Sequence, residues 1–433
     1  MTIQGPPPLS RRICDPAEEV PAISTVRIDA DRLRARLGAL GAIGRTPEGG
    51  VTRLSYWPEH AQAARLCARW MQDAGAEVGV DPWGNLFGVV GGSGGARRPI
   101  AAGSHLDTVP NGGIFDGGLG VVGAIEAAAA LRAAGARLRH PLMLLGFAEE
   151  EGASFSLGCL GSRGVAGRLP ALQTLVDRSG RSAADAIQAF DPGVPRRAMP
   201  APLAAYLELH IEQGPVLERR HTPLAAVDAI VGIARMSFLF QGEANHAGTT
   251  PMSARRDALW GAADLVARVR EMARGTEGRA VGTVGQCTVS PGATNVVPGQ
   301  AEVTVEMRSA DGALLERLCA EVVVAAQTCA ATYCLTVEHR HWWTEPPVPL
   351  DARIRGEVVA AAGDLGWPIA TMSSWAGHDA KILAGVAPTG MIFVPSAGGI
   401  SHSPFERTAW EDAACGAQLL CRALERLDAV DET

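Results

Sequence analysis

The chain has 433 residues, 47% of them hydrophobic and 20% charged, nine cysteines and a formal charge of −7. That length calls for two folded units, or one large and one small, and the composition excludes a disordered or collagen-like chain. The acidic balance offers no footprint for nucleic acid or an anionic membrane, and the single lysine, Lys381, excludes a lysine-bearing phosphate loop.

The first 19 residues, MTIQGPPPLSRRICDPAEE, lack the apolar centre of a signal peptide and read as a loose arm. No two cysteines form a CxxC pair and most lie in apolar patterns, so reduced, buried thiols and a cytoplasmic location are expected. Residues 58–74 place Leu66, Trp70 and Met71 at helical spacing, with Gly75 as a stop. Short strands are predicted over 78–80, 86–90 and 99–103, a helix over 119–134 and a second apolar strand over 142–147. The Ala-rich stretch 118–136 is interrupted by Glu126, Arg132 and Gly135, so it reads as a helix of a soluble protein and not a membrane span. Strand, helical connection and strand are the grammar of a parallel or mixed sheet, whose chemistry gathers at the carboxyl ends of its strands. His105 and Asp107 follow one such strand, and Glu149, Glu150 and Glu151 follow the other.

From about residue 227 the pattern changes. Met236, Phe238 and Phe240 alternate as on a half-buried strand, residues 254–273 form an amphipathic helix, and strands at 281–289 and 301–307 precede a helix at 313–330 and a strand at 334–339. That β-α-β-β-α-β order is ferredoxin-like. The prolines of TEPPVPL read as a return linker. The expected architecture is therefore α/β: a mixed-sheet catalytic domain from residues 1–227 and 343–433, with a smaller domain, 228–342, inserted in it.

The strongest local signal is GSHLDTVPNGGIFDGGLG at 103–120, with His105, Asp107 and Asp116 in a loop between strand and helix. Alone it reads more readily as an Asp-rich turn. AEEEGASF at 148–155 sets three carboxylates beside a buried strand end, where a metal ion or raised pKa values would relieve their repulsion. His210 in LELHIEQGPVLE and His402 in GISHSP could each be structural. Together His105, Asp116, Glu151, His210 and His402 form an imidazole and carboxylate set suited to zinc, manganese or cobalt, and hydrolytic two-metal sites hold their ions roughly 3.5–4 Å apart. Residues 118–123 match GxGxxG and 91–95 match GxSxG, but neither has the strand-to-helix context that dinucleotide binding or a nucleophilic serine needs. In the inserted segment, His246 lies in NHAGTTPM, Asn295 in GATNVVPG, and Arg308 on the polar face of its strand with Glu306 and Thr304. A guanidinium near an amide is what a carboxylate ligand requires.

With these motifs in view, the chain resembles the amidase, hydantoinase and carbamoylase branch of the dinuclear metallopeptidase-like hydrolases. The resemblance runs from GVTRLSY near residue 50 to SHSPFERT near 408. It implies two divalent metal ions, one held by His105, Asp116 and His210, with Asp116 bridging to the second, held also by Glu151 and His402. It further implies that Asp107 orients His105, that Glu150 is the general base, and that His246 stabilises the oxyanion. Asn295 and Arg308 would grip a substrate carboxylate, with Gln213, Gly377 and His378 contacting the ureido end. The inserted domain would be a lid and homodimerisation surface, with hinges near 227–232 and 343. The implied reaction is hydrolysis of a carbamoyl or ureido C–N bond in a small carboxylate-bearing molecule such as an N-carbamoyl-L-amino acid. Allantoate or ureidoglycolate hydrolysis is the alternative, and a metallo-aminopeptidase, a deacylase or a non-catalytic binding protein is more distant. Two departures bear on substrate choice: Trp375 before Ala-Gly-His-Asp, and EEGASF where the family usually has EEGSRF.

Overall fold

The computed structural model describes residues 26–430, so the proline-rich arm and Cys14 lie outside the described residues. The chain divides into two compact units. The first takes the chain up to Asp228, then Leu350–Met372 and Gly377 onward; the second takes Ala229–Pro349 with Ser373–Ala376. The return to the first unit thus falls at 350, later than the residue 343 expected from sequence. The strand Thr336–Glu345 runs through Trp343, and Val348 and Pro349 pair with Ile230 and Ala229, so most of the presumed linker is strand.

The sheet of the first unit runs Glu77–Val80, Leu86–Val90, Leu142–Phe147, Ile100–His105, Ala205–Ile211, Thr389–Val394 and Ala225–Ile230. Its four central strands are parallel, and the flanking ones are antiparallel. The central strands are buried at every residue, which is why they read as continuous apolar runs. Helices Gly118–Ala133 and Trp410–Ala429 pack on one another and on these strands.

The helix Gly118–Ala133 is buried on nearly all sides, and its glycines are there for packing. A Cβ on Gly120 would lie 2.3 Å from the Leu209 carbonyl oxygen, and one on Gly117, at φ 63°, would lie 2.4 Å from His105 Nδ1. The GxGxxG match therefore marks close contact of a helix with the sheet and not a phosphate cradle. The same helix buries Glu126, whose carboxylate accepts from Arg32 at 2.6 and 2.8 Å, from Arg36 at 3.3 Å and from the Asp29 amide at 2.9 Å. These bonds fasten the helix Ala30–Gly41 to it.

The second unit has a four-stranded antiparallel sheet ordered Thr336–Glu345, Gly232–Gln241, Gln300–Ser309, Ala280–Ser290. Helices Ala258–Arg274 and Gly312–Thr332 pack against its buried face, which carries Met236, Phe238, Phe240, Val303, Val305 and Met307. The element order is β-α-β-β-α-β, as the alternation implied. The first helix starts at 258 and not 254, because Asp257 caps it by accepting from the Leu259 amide.

Among the described residues no helix is long and apolar enough to cross a membrane. Cys67, Cys159, Cys319, Cys329 and Cys421 are free and buried, and Cys287 and Cys334 are free and exposed. Cys415 departs from the reduced-thiol expectation and is disulfide-bonded.

Candidate metal centre

The centre is built where the four parallel strands end on the same side. His105 closes its strand, His210 is next to last in Ala205–Ile211, Glu150 and Glu151 lie just past Phe147, and His402 lies in the loop after Val394. Asp116 stands just ahead of the helix Gly118–Ala133. Glu149, Gln213 and His402 all have φ between 54° and 58°, a left-handed backbone that non-glycine residues seldom adopt. At Glu149 this turn sends its own side chain back to accept from the Ser154 and Phe155 amides, both at 2.8 Å, while Glu150 and Glu151 face the cluster.

Asp116 is the centre of the arrangement. Its Oδ1 lies 3.4 Å from His105 Nε2 and 3.2 Å from His210 Nε2, while its Oδ2 lies 3.4 Å from His402 Nε2. His402 Nε2 is also 3.4 Å from Glu151 Oε2, and His105 Nε2 is 3.9 Å from Glu150 Oε2. Two ligand sets thus share one carboxylate: His105, Asp116 and His210, and Asp116, Glu151 and His402.

The protonation pattern fits a cation. His210 Nδ1 donates to the Ile211 carbonyl at 2.9 Å and His105 Nδ1 to the Asp107 carbonyl at 3.0 Å, so in the neutral rings each Nε2 presents a lone pair. His210 Nε2, Asp116 Oδ1 and Glu151 Oε1 are buried and make no hydrogen bond. Electron-rich atoms this close repel one another unless a proton or a cation is shared among them. Nitrogen and oxygen donors without thiolate match a divalent metal ion.

The charges tell the same story. Burial would raise the Asp116 carboxyl, yet His105, His210 and His402 hold it well below its usual range. Burial would lower His105 and His210, but Asp116 raises both. Glu150 is pushed well up by burial, pulled back by His105 and pushed further by Glu151, Asp379 and Asp107. Burial and the neighbouring Asp116 push Glu151 up to about 7. So many carboxyls cannot all ionise together without added positive charge.

His105 Nδ1 donates to the Asp107 backbone carbonyl at 3.0 Å and lies 3.7 Å from Asp107 Oδ1, while the Asp107 side-chain oxygens accept from the amides of Glu150 and Glu151 at 3.1 and 3.2 Å. The side chain therefore ties two strand ends together. Gln213 lies in the cluster, donating to Asp116 Oδ2 at 2.9 Å beside His402. His378, which follows Gly377, is buried with its ring edge-on to His210 at 4.5 Å.

Sequence reasoning missed two supports of the centre. Glu208 is buried, accepting from Ser104 Oγ at 2.7 Å and the Ala380 amide at 2.9 Å, and it groups with His210 and His378. The signal was present, since residues two apart on a strand share a face. Glu406 accepts from the Phe115 and Asp116 amides at 2.9 and 3.1 Å and from Ser401 at 3.0 Å. Some 290 residues separate it from Asp116, and no local pattern links them.

In the second unit, the ladder of Asn245–His246 with Val296–Val297 brings two of the predicted residues together, and the Ala247 amide donates to the Asn295 carbonyl. His246 Nδ1 accepts from the Gly248 and Thr249 amides at 3.0 and 3.2 Å, so the neutral ring carries its proton on Nε2. Arg308 is held by Glu306, at 2.8 Å from Nε and 2.7 Å from Nη2, and donates from Nη1 to the Trp375 carbonyl at 2.8 Å. The other Glu306 oxygen accepts from Arg235 at 2.6 Å, and the Arg235 guanidinium lies 4.9 Å from the centre of the Trp343 ring.

Comparison with known proteins adds to this geometry. The pattern of peptidase family M20/M25/M40 matches residues 101–426. An N-carbamoyl-L-amino acid amidohydrolase of Geobacillus stearothermophilus is 40% identical over 406 residues, 92% of this chain and 99% of that protein. The allantoate amidohydrolase of Escherichia coli strain K12 is 35% identical over 393 residues, 90% of this chain and 95% of that protein. Among solved structures, an amidase of the hydantoinase/carbamoylase family from Burkholderia multivorans superposes with a TM-score of 0.90 at 34% identity, covering 94% of this chain and all of that one.

Proposed function

This chain belongs to peptidase family M20/M25/M40, among its hydantoinase/carbamoylase amidases, and from that premise we propose that it hydrolyses the carbamoyl C–N bond of N-carbamoyl-L-amino acids. The observation that carries the reading is Asp116, one buried carboxylate whose two oxygens each face a separate set of ligands with Glu150 alongside. His105, Asp116 and His210 would hold one divalent ion, and Asp116, Glu151 and His402 a second, with zinc, manganese or cobalt suited to these donors. When bound, such ions polarise the ureido carbonyl and make water nucleophilic at neutral pH.

The remaining work falls to side chains. Glu150 takes a proton from the attacking water and returns it to the leaving nitrogen as the C–N bond breaks. Ammonia departs, and the carbamate left behind decomposes to carbon dioxide and the amino acid. His246 donates from Nε2 to the oxygen on which charge develops. Asn295 and Arg308 bind the substrate carboxylate, and Gln213, Gly377 and His378 bind the ureido end. The second unit serves as lid and homodimerisation surface, with hinges where the chain passes between units, and the protein works in the cytoplasm on a small molecule, without nucleic acid or membrane partners.

Allantoate is the second reading, favoured by the similarity to the Escherichia coli enzyme and by its own carboxylate and ureido groups. The test is ammonia release by metal-free protein reloaded with manganese, zinc or cobalt, comparing allantoate with a panel of N-carbamoyl-L-amino acids. Release from the carbamoyl compounds only, and only with metal, is the expected result; release from allantoate alone would move the assignment there. Glu150→Gln is expected to bind metal normally and lose at least 100-fold in kcat. Full turnover by that variant would remove Glu150 from the reaction.

A further inference from the structure

Among the described residues, one side-chain donor reaches the carboxylate of Glu150. It is the thiol of Cys159, whose Sγ lies 3.6 Å from Glu150 Oε1. The cysteine is buried, and its own amide donates to the Glu150 carbonyl at 2.8 Å, so backbone and side chain grip the same residue. The other carboxylate oxygen, Oε2, is the one that faces His105.

The backbone at this position sharpens the point. Cys159 has φ 58° and ψ 32°, a left-handed conformation that glycine adopts without cost and a side chain does not. Were the turn into the helix Leu160–Val165 the only requirement, glycine would satisfy it better. The family resemblance does not account for the residue either, because Cys159 belongs to none of the motifs that carry it.

We propose that Cys159 is a positioning residue for Glu150: its thiol holds Oε1 so that Oε2 is presented to the reacting water. This rests on Glu150 being the proton carrier. A thiol is a weak donor, so it can fix the direction of a carboxylate while removing little of its basicity. A hydroxyl or amide in its place would orient the group as well but stabilise the anion more. In this role the thiol acts through Glu150.

The test compares Cys159→Ala, Cys159→Gly and Cys159→Ser in the metal-loaded full chain, each alone and in a Glu150→Gln background. Melting temperature, metal content, kcat and KM are measured for every variant. Loss of the thiol in the alanine and glycine variants is expected to lower kcat five- to twentyfold, with KM and metal content unchanged. The glycine variant is expected to melt at or above the parent temperature, because it relieves the left-handed strain, which separates the effect on rate from any loss of folding. Serine is expected to recover part of kcat. In the Glu150→Gln background all three changes are expected to leave the residual rate alone. Full kcat in the alanine and glycine variants, with Glu150→Gln still inactive, would overturn the role of Cys159 and leave that of Glu150 standing. Full kcat in Glu150→Gln would overturn the underlying assignment instead. An additive loss in the double variants would show that Cys159 acts elsewhere than through Glu150.

Discussion

Single residues near the centre are held by bonds that a local sequence pattern only half reveals. His105, Asp116, Glu150, Glu151, His210 and His402 were legible because each sits at or just beyond the end of a buried strand or just ahead of a helix, where acidic residues and imidazoles have few other reasons to lie. Their partners were not: Glu406 and Ser401 meet Asp116 only through tertiary folding, and the division of labour within Asp107 depends on the direction of a carbonyl. His60 shows how far a buried group can depart from its ordinary behaviour. It is packed face to face on Phe190 at 4.8 Å, its Nδ1 accepts from the Tyr56 amide, and burial, with a further push from Arg53, lowers its pKa to about 3. The unfolded chain binds a proton at His60 below about 6.5, and the folded protein does not until near 3. Stability contributed by the neutral ring is therefore complete above 6.5 and is lost as the pH falls toward 3. Between pH 7.5 and 5 this loss amounts to about 2 kcal/mol. His60→Asn, which keeps an acceptor for Tyr56, is expected to be less stable at pH 7.5 but to lose about 2 kcal/mol less over that interval. Urea unfolding of both proteins at the two pH values measures the difference, and parallel losses would count against it.

At the scale of elements, the helix Gly118–Ala133 does most to set the site, because Asp116 stands at its start and its glycines bring it onto the strand of His210. The apolar run predicted the helix well. It could not show why the glycines recur, since the reason is a carbonyl on a strand far along the chain. Gly120→Ala would place a methyl group 2.3 Å from the Leu209 oxygen. The helix must shift outward, at a cost of about 1–3 kcal/mol, and metal content should fall as Asp116 moves with it. A variant with normal melting temperature and full metal occupancy would contradict this. Glu126→Ala tests the opposite flank. It leaves Arg36 buried without its carboxylate, so a loss of about 3–5 kcal/mol in unfolding free energy is expected. Prolines suggest a linker after residue 343, yet Trp343, Thr344 and Glu345 pair with Arg235, Ala234 and Ile233, and Val348 and Pro349 pair with Ile230 and Ala229.

For the whole molecule, the order of elements implied two units, and the chain divides into two with limits other than the expected ones: the second unit runs to Pro349 and also takes Ser373–Ala376. Metal should act on the first unit as a ligand that binds only the folded state. At a hundredfold excess over its dissociation constant an ion stabilises by about 2.7 kcal/mol, so chelation is expected to lower the melting temperature and metal to restore it. The pH dependence follows from Glu151, pushed up to about 7. Below that value the free site holds a proton on Glu151 as well as on imidazoles that Asp116 has raised, and a bound ion must displace them, so affinity falls as the pH drops and binding releases protons. Titration calorimetry at pH 6 in two buffers of different ionisation heat reads those protons directly; identical heats would refute it. The lone lysine has a different consequence. Lys381 is only 6% exposed, so arginine guanidinium groups and not lysine amines carry the positive charge on the described surface. Acetyl donors, ubiquitin ligases and amine-coupling resins alike find no accessible side-chain amine among the described residues, so attachment to a support through a described side chain proceeds by carboxyl, thiol or guanidine chemistry.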